Sequence, residues 1–293
     1  TIVLRAKPAD EAEVSSWLSQ AEDRYGANLQ MGGVYDLTLS LEPSNGKVIT
    51  LNEFEEPIVI SLPIPEGANP ALTGIYYGES DGSVTYMGGT VRNGWVTAEL
   101  NHFSFYAAME YNKSFTDLSV GHWAESAVKQ LAARQIVEGT TMERFEPNRT
   151  VTRAEFAAML ARLLDLEGEA QADFTDVSSE QWFANEVGLA ADAGIVQGYT
   201  DGSFAPAQRI TRQEMAAMIV RAYTFKTGEK PEAGDAGYTD LKGSPQWAVQ
   251  AIKTAHKLGV VHGFSADEFR PFGVGTRAES AQIMFNLANV LNP

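Results

Sequence analysis

Three short stretches of this 293-residue chain place a cation and a carboxylate at one fixed spacing. They read Thr152-Arg153-Ala154-Glu155, Thr211-Arg212-Gln213-Glu214 and Thr276-Arg277-Ala278-Glu279. Thr-x-x-Glu is a capping box: the threonine oxygen accepts from the N3 amide while the glutamate reaches back to the cap amide. That accounts for six residues by structure alone and leaves the arginines over. At N1 an arginine stands at the positive end of the helix dipole, where a cation is unfavourable by roughly 0.3–1 kcal/mol. Three such placements call for an anion within reach. One candidate is an intramolecular salt bridge to Asp117, Asp176 or Asp240. The other is a ligand carboxylate or phosphate, held by the guanidinium fork and helix-terminal amides. Spacing alone leaves both open.

The stretches close three copies of a longer pattern. Phe115-Thr116-Asp117, Phe174-Thr175-Asp176 and Tyr238-Thr239-Asp240 open the copies. Each then supplies a tryptophan (Trp123, Trp182, Trp247), a glycine (Gly139, Gly198, Gly263) and an aromatic-x-Pro (Phe145/Pro147, Phe204/Pro206, Phe269/Pro271). Arg153 and Arg212 lie 59 residues apart and Arg212 and Arg277 lie 65 apart, and the tryptophan, glycine and proline keep the same offsets. Ordered landmarks on a fixed offset mark internal repeats. Each copy reads as helix, loop, helix. Ala124, Val128 and Leu131 correspond to Phe183, Val187, Ala190 and to Ala248, Ile252, Ala255, one buried stripe. Met159, Leu160, Leu163 correspond to Met218, Ile219, Ala222 and to Ile283, Met284, Leu287. Ser244-Pro245 reads as an N-cap followed by proline at N1, and Ser178 with Gln181 has capping-box spacing. A helix pair this small cannot bury its apolar face alone, so the three copies are expected to share a core.

The remaining candidates are weighed against plainer roles. A tryptophan at the start of an amphipathic helix reads first as core, although its face also suits a sugar ring. The three glycines read first as turn positions with positive φ, close approach of a ligand being the alternative. His102, His122, His256 and His262 show no ligand spacing, and Asp201-Gly202 lacks the acidic ladder of a calcium loop. No metal site or cofactor is expected. The chain has no cysteine, which removes disulfides, thiolate metal sites and a cysteine nucleophile. A net charge of −16 disfavours nucleic acid as a partner. No apolar run approaches the length of a membrane span. The chain opens at Thr1 without a leader pattern, and the expectation is a mature or excised fragment.

Residues 1–112 differ in kind. An opening strand over 1–7 and an amphipathic helix over 8–25 precede segments of β character at 34–41, 57–65, 75–77, 84–87 and 91–100. Asn45-Gly46, Asp81-Gly82 and Asn93-Gly94 are hairpin signals. Short strands with such turns predict a small antiparallel β-sandwich-like domain. Its carboxylates show neither a paired-carboxylate spacing nor a Ser/His/Asp order, and no activity follows from them.

The ordered Phe-Thr-Asp…Trp…Gly…Phe-x-Pro…Thr-Arg-x-Glu resembles the S-layer homology (SLH) domain of bacterial surface proteins, in three copies over residues 113–293. The resemblance implies a mainly α, pseudo-trimeric unit with grooves between adjacent repeats. The expected architecture is therefore α+β and multidomain: a β-sandwich-like domain at 1–112, then SLH repeats at 113–171, 172–234 and 235–293. It further implies an extracellular protein at the cell surface of a Gram-positive bacterium, anchored non-covalently to a secondary cell-wall polysaccharide with acidic groups, commonly pyruvylated N-acetylmannosamine. Arg153, Arg212 and Arg277 would then face a ketal carboxylate. The repeated tryptophans, aspartates and glycines complete the expected ligand-binding set. Gln135 stands where the later copies have Gly194 and Gly259, and Gln213 occupies the central motif position of the second copy, so the grooves are not expected to be equivalent. A protein–protein module for lattice self-assembly is the alternative function. A glycan-processing enzyme is disfavoured, because hydrolysis needs two suitably separated carboxylates and the repeated glutamate already has a capping role.

Overall fold

In the computed structural model, residues 2–43, 46–51, 53–79, 81–102 and 105–291 are described. The chain divides into two compact units, one of residues 1–119 with 129–144 and one of 120–128 with 145–293.

The first unit is built on two antiparallel sheets. The larger orders its strands β1 (Ile2–Pro8), β2 (Asn28–Leu41), β9 (Phe105–Asn112), β5 (Thr73–Gly78) and β6 (Val84–Tyr86), with β3 (Ile49–Leu51) also paired to β2. The smaller orders β4 (Glu53–Pro63), β8 (Trp95–His102) and β7 (Thr90–Arg92). Alternate residues of both sheets meet in one core that includes Leu37, Leu62, Ile75, Val96, Leu100 and Tyr106. The other face of the large sheet carries a second core, where Ala21 and the partly buried Trp17 and Leu18 of helix α1 (Glu11–Tyr25) join Leu29, Tyr76 and Met109. The predicted helix begins three residues late, because Asp10 caps it through Oδ1, which accepts from the amide of Ala12 at 2.9 Å.

The predicted single strand over 91–100 is two. Asn93 and Gly94, at φ 52° and 80°, turn β7 back onto β8, as a tight hairpin of the primed type requires. Gly82 also takes a positive φ, 81°, and the Asp81 side chain accepts from the Ser83 amide at 2.9 Å. Asn45 of the third turn signal lies outside the described residues.

Residues 129–144 pack in this same unit. Gln135 sits in the left-handed region at φ 56°, as Gly194 and Gly259 do at 70° and 73°. Its side chain explains why a non-glycine is held there. The amide oxygen accepts from Tyr86 N at 2.8 Å and the amide nitrogen donates to Val84 O at 2.7 Å, so Gln135 pairs with β6 as a neighbouring strand residue would. Tyr76 adds a bond from its hydroxyl to the Ala133 carbonyl.

The helices of the repeats are α2 (Glu125–Ala133), α3 (Arg153–Leu163), α4 (Ala184–Asp192), α5 (Arg212–Thr227), α6 (Gln246–Lys257) and α7 (Arg277–Leu291). Within the second unit α3, α5 and α7 touch pairwise, while α4 packs on α3 and α6 on α5. The predicted stripes are buried, except that Phe183 and Leu163 are half-buried. Two predicted helix starts are corrected. Pro245 is itself the cap residue of α6, with no side-chain capping bond, because the turn bonded from Ser244 N to Leu241 O runs through the serine. Ser178 and Gln181 do bond, Ser178 N donating to Gln181 Oε1 at 2.8 Å, but this closes a turn ahead of α4, whose cap is Phe183.

Candidate functional site

The three Thr-Arg-x-Glu stretches start α3, α5 and α7, and their cap, N1 and N2 amides all have partners inside the protein. The cap amides donate to their own glutamates: Thr152 to Glu155 and Thr211 to Glu214, each at 2.8 Å, and Thr276 to Glu279 at 2.7 Å. The hydroxyl oxygens of Thr152 and Thr276 accept in return from the N3 amides of Glu155 and Glu279, at 3.2 Å in both. At Thr211 the hydroxyl donates to Glu214 Oε2 at 2.6 Å. The next two amides cross to the following copy. Arg153 N reaches Gln208 O at 2.9 Å, Arg212 N reaches Gly273 O at 2.8 Å, and Arg277 N reaches Arg149 O at 2.8 Å. Ala154, Gln213 and Ala278 donate to the carbonyls of Pro206, Pro271 and Pro147. The relay runs from first copy to second, second to third, and third back to first. The reading in which helix-terminal amides wait for a ligand anion is therefore corrected: those donors bond the neighbouring copy.

The guanidinium groups follow the same circuit. Nε of Arg153 donates to Phe204 O at 2.9 Å, that of Arg212 to Phe269 O at 2.8 Å, and that of Arg277 to Phe145 O at 2.7 Å. Each guanidinium also lies over the ring of that phenylalanine, at 4.9, 4.7 and 4.6 Å from the centroid. The anion that the dipole demands is the capping glutamate of the next copy. Arg153 Nη1 bonds Glu214 Oε1 at 2.7 Å, and Arg212 Nη1 lies 3.6 Å from Glu279 Oε1. A carboxylate has two oxygens, so one can cap its own helix while the other meets the neighbour's arginine.

Two of the aspartates offered as alternative salt-bridge partners bond backbone amides instead. Asp176 takes the amides of Phe204 and Ala205 at 2.7 and 2.8 Å, and Asp240 those of Phe269 and Arg270 at 2.9 and 2.6 Å. Asp117 pairs with Arg144 at 3.6 Å. The second residue of each aromatic-x-Pro explains why such a clamp is needed. Glu146, Ala205 and Arg270 hold φ of 57°, 56° and 61°, a region costly for any residue with a Cβ.

The repeated glycines differ from the turn expectation as well. Gly139, Gly198 and Gly263 are not among the positive-φ residues. A Cβ on them would meet the Thr141 carbonyl at 2.2 Å, the Phe174 ring at 2.6 Å and the Ser265 carbonyl at 2.3 Å, with the Phe115 and Tyr238 rings at 2.7 and 2.5 Å, so they permit close approach of loop backbone and an aromatic ring without a positive φ. The tryptophans are not core. Trp123, Trp182 and Trp247 are 58%, 61% and 49% exposed, each beside the start of its copy's first helix. His122 stacks on Trp123 at 5.4 Å, and Phe183 packs edge-on to Trp182 at 5.3 Å.

Sequence reasoning missed the Phe-x-Pro carbonyl and ring as the arginine's seat, and it missed Tyr199. This tyrosine lies over Arg153 at 4.9 Å and its hydroxyl donates to Glu214 Oε1 at 3.1 Å. Burial, above all, raises the Tyr199 pKa; Arg153 opposes that shift and Glu214 adds to it. Among the described residues no group of three potential metal ligands is present, and no helix is long and apolar enough to cross a membrane.

This ring of motifs coincides with a known family. The model of the S-layer homology domain matches residues 114–157, 173–216 and 237–281. The chain carries three tandem S-layer homology domains. It is 37% identical over 300 residues to an amylopullulanase of Thermoanaerobacterium thermosulfurigenes, an alignment covering 98% of this chain and 16% of that protein. It is 40% identical over 182 residues to the exoglucanase XynX of Acetivibrio thermocellus, covering 61% of this chain and 16% of that one. Against an S-layer protein of Bacillus thuringiensis subsp. finitimus it is 32% identical over 174 residues, 59% of this chain and 21% of the relative. The chain thus spans a small part of the length of these relatives. S-layer homology domains are non-catalytic anchors, and with the S-layer relatives they indicate an extracellular protein attached at the cell surface.

Proposed function

We propose that the three domains anchor their protein by binding an acidic secondary cell-wall polysaccharide in the grooves between repeats, with the carboxylate of pyruvylated N-acetylmannosamine as the recognised group. The observation that carries this reading is the recurrence of an exposed tryptophan in every copy. A large indole is left about half outside the core in each of the three copies, and an exposed indole face suits the apolar side of a sugar ring. The arginines supply the charge and the clamp that fixes each groove. Because net charge repels polyanions and is screened beyond about 8 Å, recognition is local to these groups.

The test is binding of the whole chain to purified polymer before and after removal of the pyruvyl ketal. Binding only before removal is expected; equal binding after it defeats the acidic-group reading. Trp123→Ala, Trp182→Ala and Trp247→Ala, at exposed positions that leave the core intact, are each expected to weaken binding. Residues 1–112 are read as a non-catalytic module of the same anchor, since their carboxylates show neither a paired spacing nor a Ser/His/Asp order. Release of reducing sugar from wall polymer by the purified chain would overturn that. Kinship to proteins named as S-layer proteins supports a second reading, lattice self-assembly. It predicts association in the ultracentrifuge without any added glycan.

A further inference from the structure

The first unit holds a cavity of about 630 Å³ that the anchoring reading does not use, between the opening turns of α1 and one end of the large sheet. The packing of α1 explains it. Ala21 is fully buried, Val14, Trp17 and Leu18 are half-buried, and Ala12 is exposed, so contact with the sheet thins toward the first turn. Beneath those turns the sheet offers small residues: Val34 of β2 stands opposite Ala107 of β9, and β5 ends on Gly78. A Cβ at position 78 would lie 2.2 Å from the Trp17 ring, so only glycine admits the indole there. Phe105, 44% exposed, lines the cavity as well.

The lining limits what can enter. Among the described residues its one charged side chain is the Glu79 carboxylate, so an anion would meet repulsion and no cation. Its hydroxyl and amide groups are few and partly engaged: the Tyr106 hydroxyl bonds His102, and Gln20 donates to Ser16 at 3.3 Å. A sugar, which needs a partner for each hydroxyl it buries, is poorly served. The size and the mainly apolar wall are those of a small-molecule site.

One donor is left over. Trp17 Nε1 is enclosed and bonds no acceptor among the described residues, whereas a buried indole N–H usually finds one. The ring edge that carries it rests on Gly78: Cε2, bonded to Nε1, lies 2.7 Å from where a Cβ there would stand. Trp17 and Gly78 both line the cavity, and the indole as a whole is only half-buried, so a slight turn of the ring brings its N–H to an occupant.

We propose that this cavity binds a small neutral molecule with an aromatic or branched-aliphatic body and a carbonyl oxygen, the oxygen accepting from Trp17 Nε1. The site is separate from wall-polymer binding and gives residues 1–112 a ligand of their own. The test titrates the whole chain with phenylpropyl methyl ketone and with phenylbutyrate, its isosteric anion, following the indole N–H signals by nuclear magnetic resonance; the Trp17 signal is assigned by its loss in Trp17→Phe. The ketone is expected to shift the Trp17 signal saturably and to leave those of the other four tryptophans in place. Trp17→Phe keeps a ring but no donor and is expected to bind the ketone about fivefold more weakly, the scale of one neutral hydrogen bond. Phenylbutyrate should bind wild type more weakly than the ketone by at least as much. Ala12→Trp, at an exposed lining position, should fill the cavity and abolish ketone binding while wall-polymer binding is unchanged, and it keeps the test open should Trp17→Phe fail to fold. No saturable shift of the Trp17 signal in wild type, or ketone binding that survives Ala12→Trp, overturns the site. Ketone binding by Trp17→Phe within about twofold of wild type, or phenylbutyrate binding as tightly as the ketone, overturns the neutral carbonyl as its ligand.

Discussion

Arg153 and Arg212 occupy the same place in the repeat, donate through Nε to the same carbonyl of the next copy, and cap the same ring, yet one is far more enclosed. The Arg153 and Glu214 side chains are 5% and 14% exposed; those of Arg212 and Glu279 are 12% and 32%. What separates them lies outside the motif, in Tyr199 against Phe264 and in a carboxylate contact of 2.7 Å against 3.6 Å. A motif read from sequence fixes the backbone frame. The residues around it decide whether its charge is consumed in holding the fold or left partly exposed.

That contrast can be broken most directly by removing the arginines. Arg153→Ala leaves Glu214 with its neighbour gone inside a buried junction and is expected to cost about 3–5 kcal/mol of stability. Arg212→Ala, at the looser junction, is expected to cost about 2 kcal/mol. Equal losses in chemical denaturation would erase the distinction. Tyr199→Phe makes the first junction more like the second and should cost about 1 kcal/mol, the net worth of one hydrogen bond.

The third junction sharpens the comparison by pH. Burial of Glu155 pushes its pKa up, but the bond and charge of Arg149, the Thr152 amide and the charge of Arg277 outweigh this and hold it below the ordinary 4.5. A lowered carboxylate stabilises the folded state above the unfolded pKa, and the contribution vanishes as pH falls through the folded one. The stability gap between wild type and Glu155→Gln should therefore be full above about pH 4.5 and shrink on further acidification. A gap that widened in acid would contradict the assigned direction. The effect is the smallest of the four, because the group is only partly enclosed.

The repeats were legible because each landmark occurs three times at one offset, and because the helix stripes carry a 3.6-residue period. The arginine's seat was not, since its acceptor lies 51 residues ahead for Arg153, 57 ahead for Arg212 and 132 behind for Arg277. Nothing in local spacing points to a carbonyl of another copy. In the first unit β9 escaped notice for a different reason. It runs through the centre of the larger sheet, and Tyr106 to Tyr111 are all buried, so it lacks the alternation that marks a strand with one wet face. The first part of β2 was hidden by the register shift between Met31 and Val34, where Gly32 and Gly33 interrupt the pattern.

The bond from Arg277 back to Phe145 makes the series of repeats a closed circuit rather than a row. In an open array, deleting a terminal copy removes one interface. Here, deleting the third repeat removes two of the three, so two-repeat truncations should lose far more than a proportional share of stability. The final contact also joins the last helix to a loop well over a hundred residues upstream, a long-range closure of the kind that slows folding. During synthesis the bond that closes the circuit can form only once the last helix has emerged.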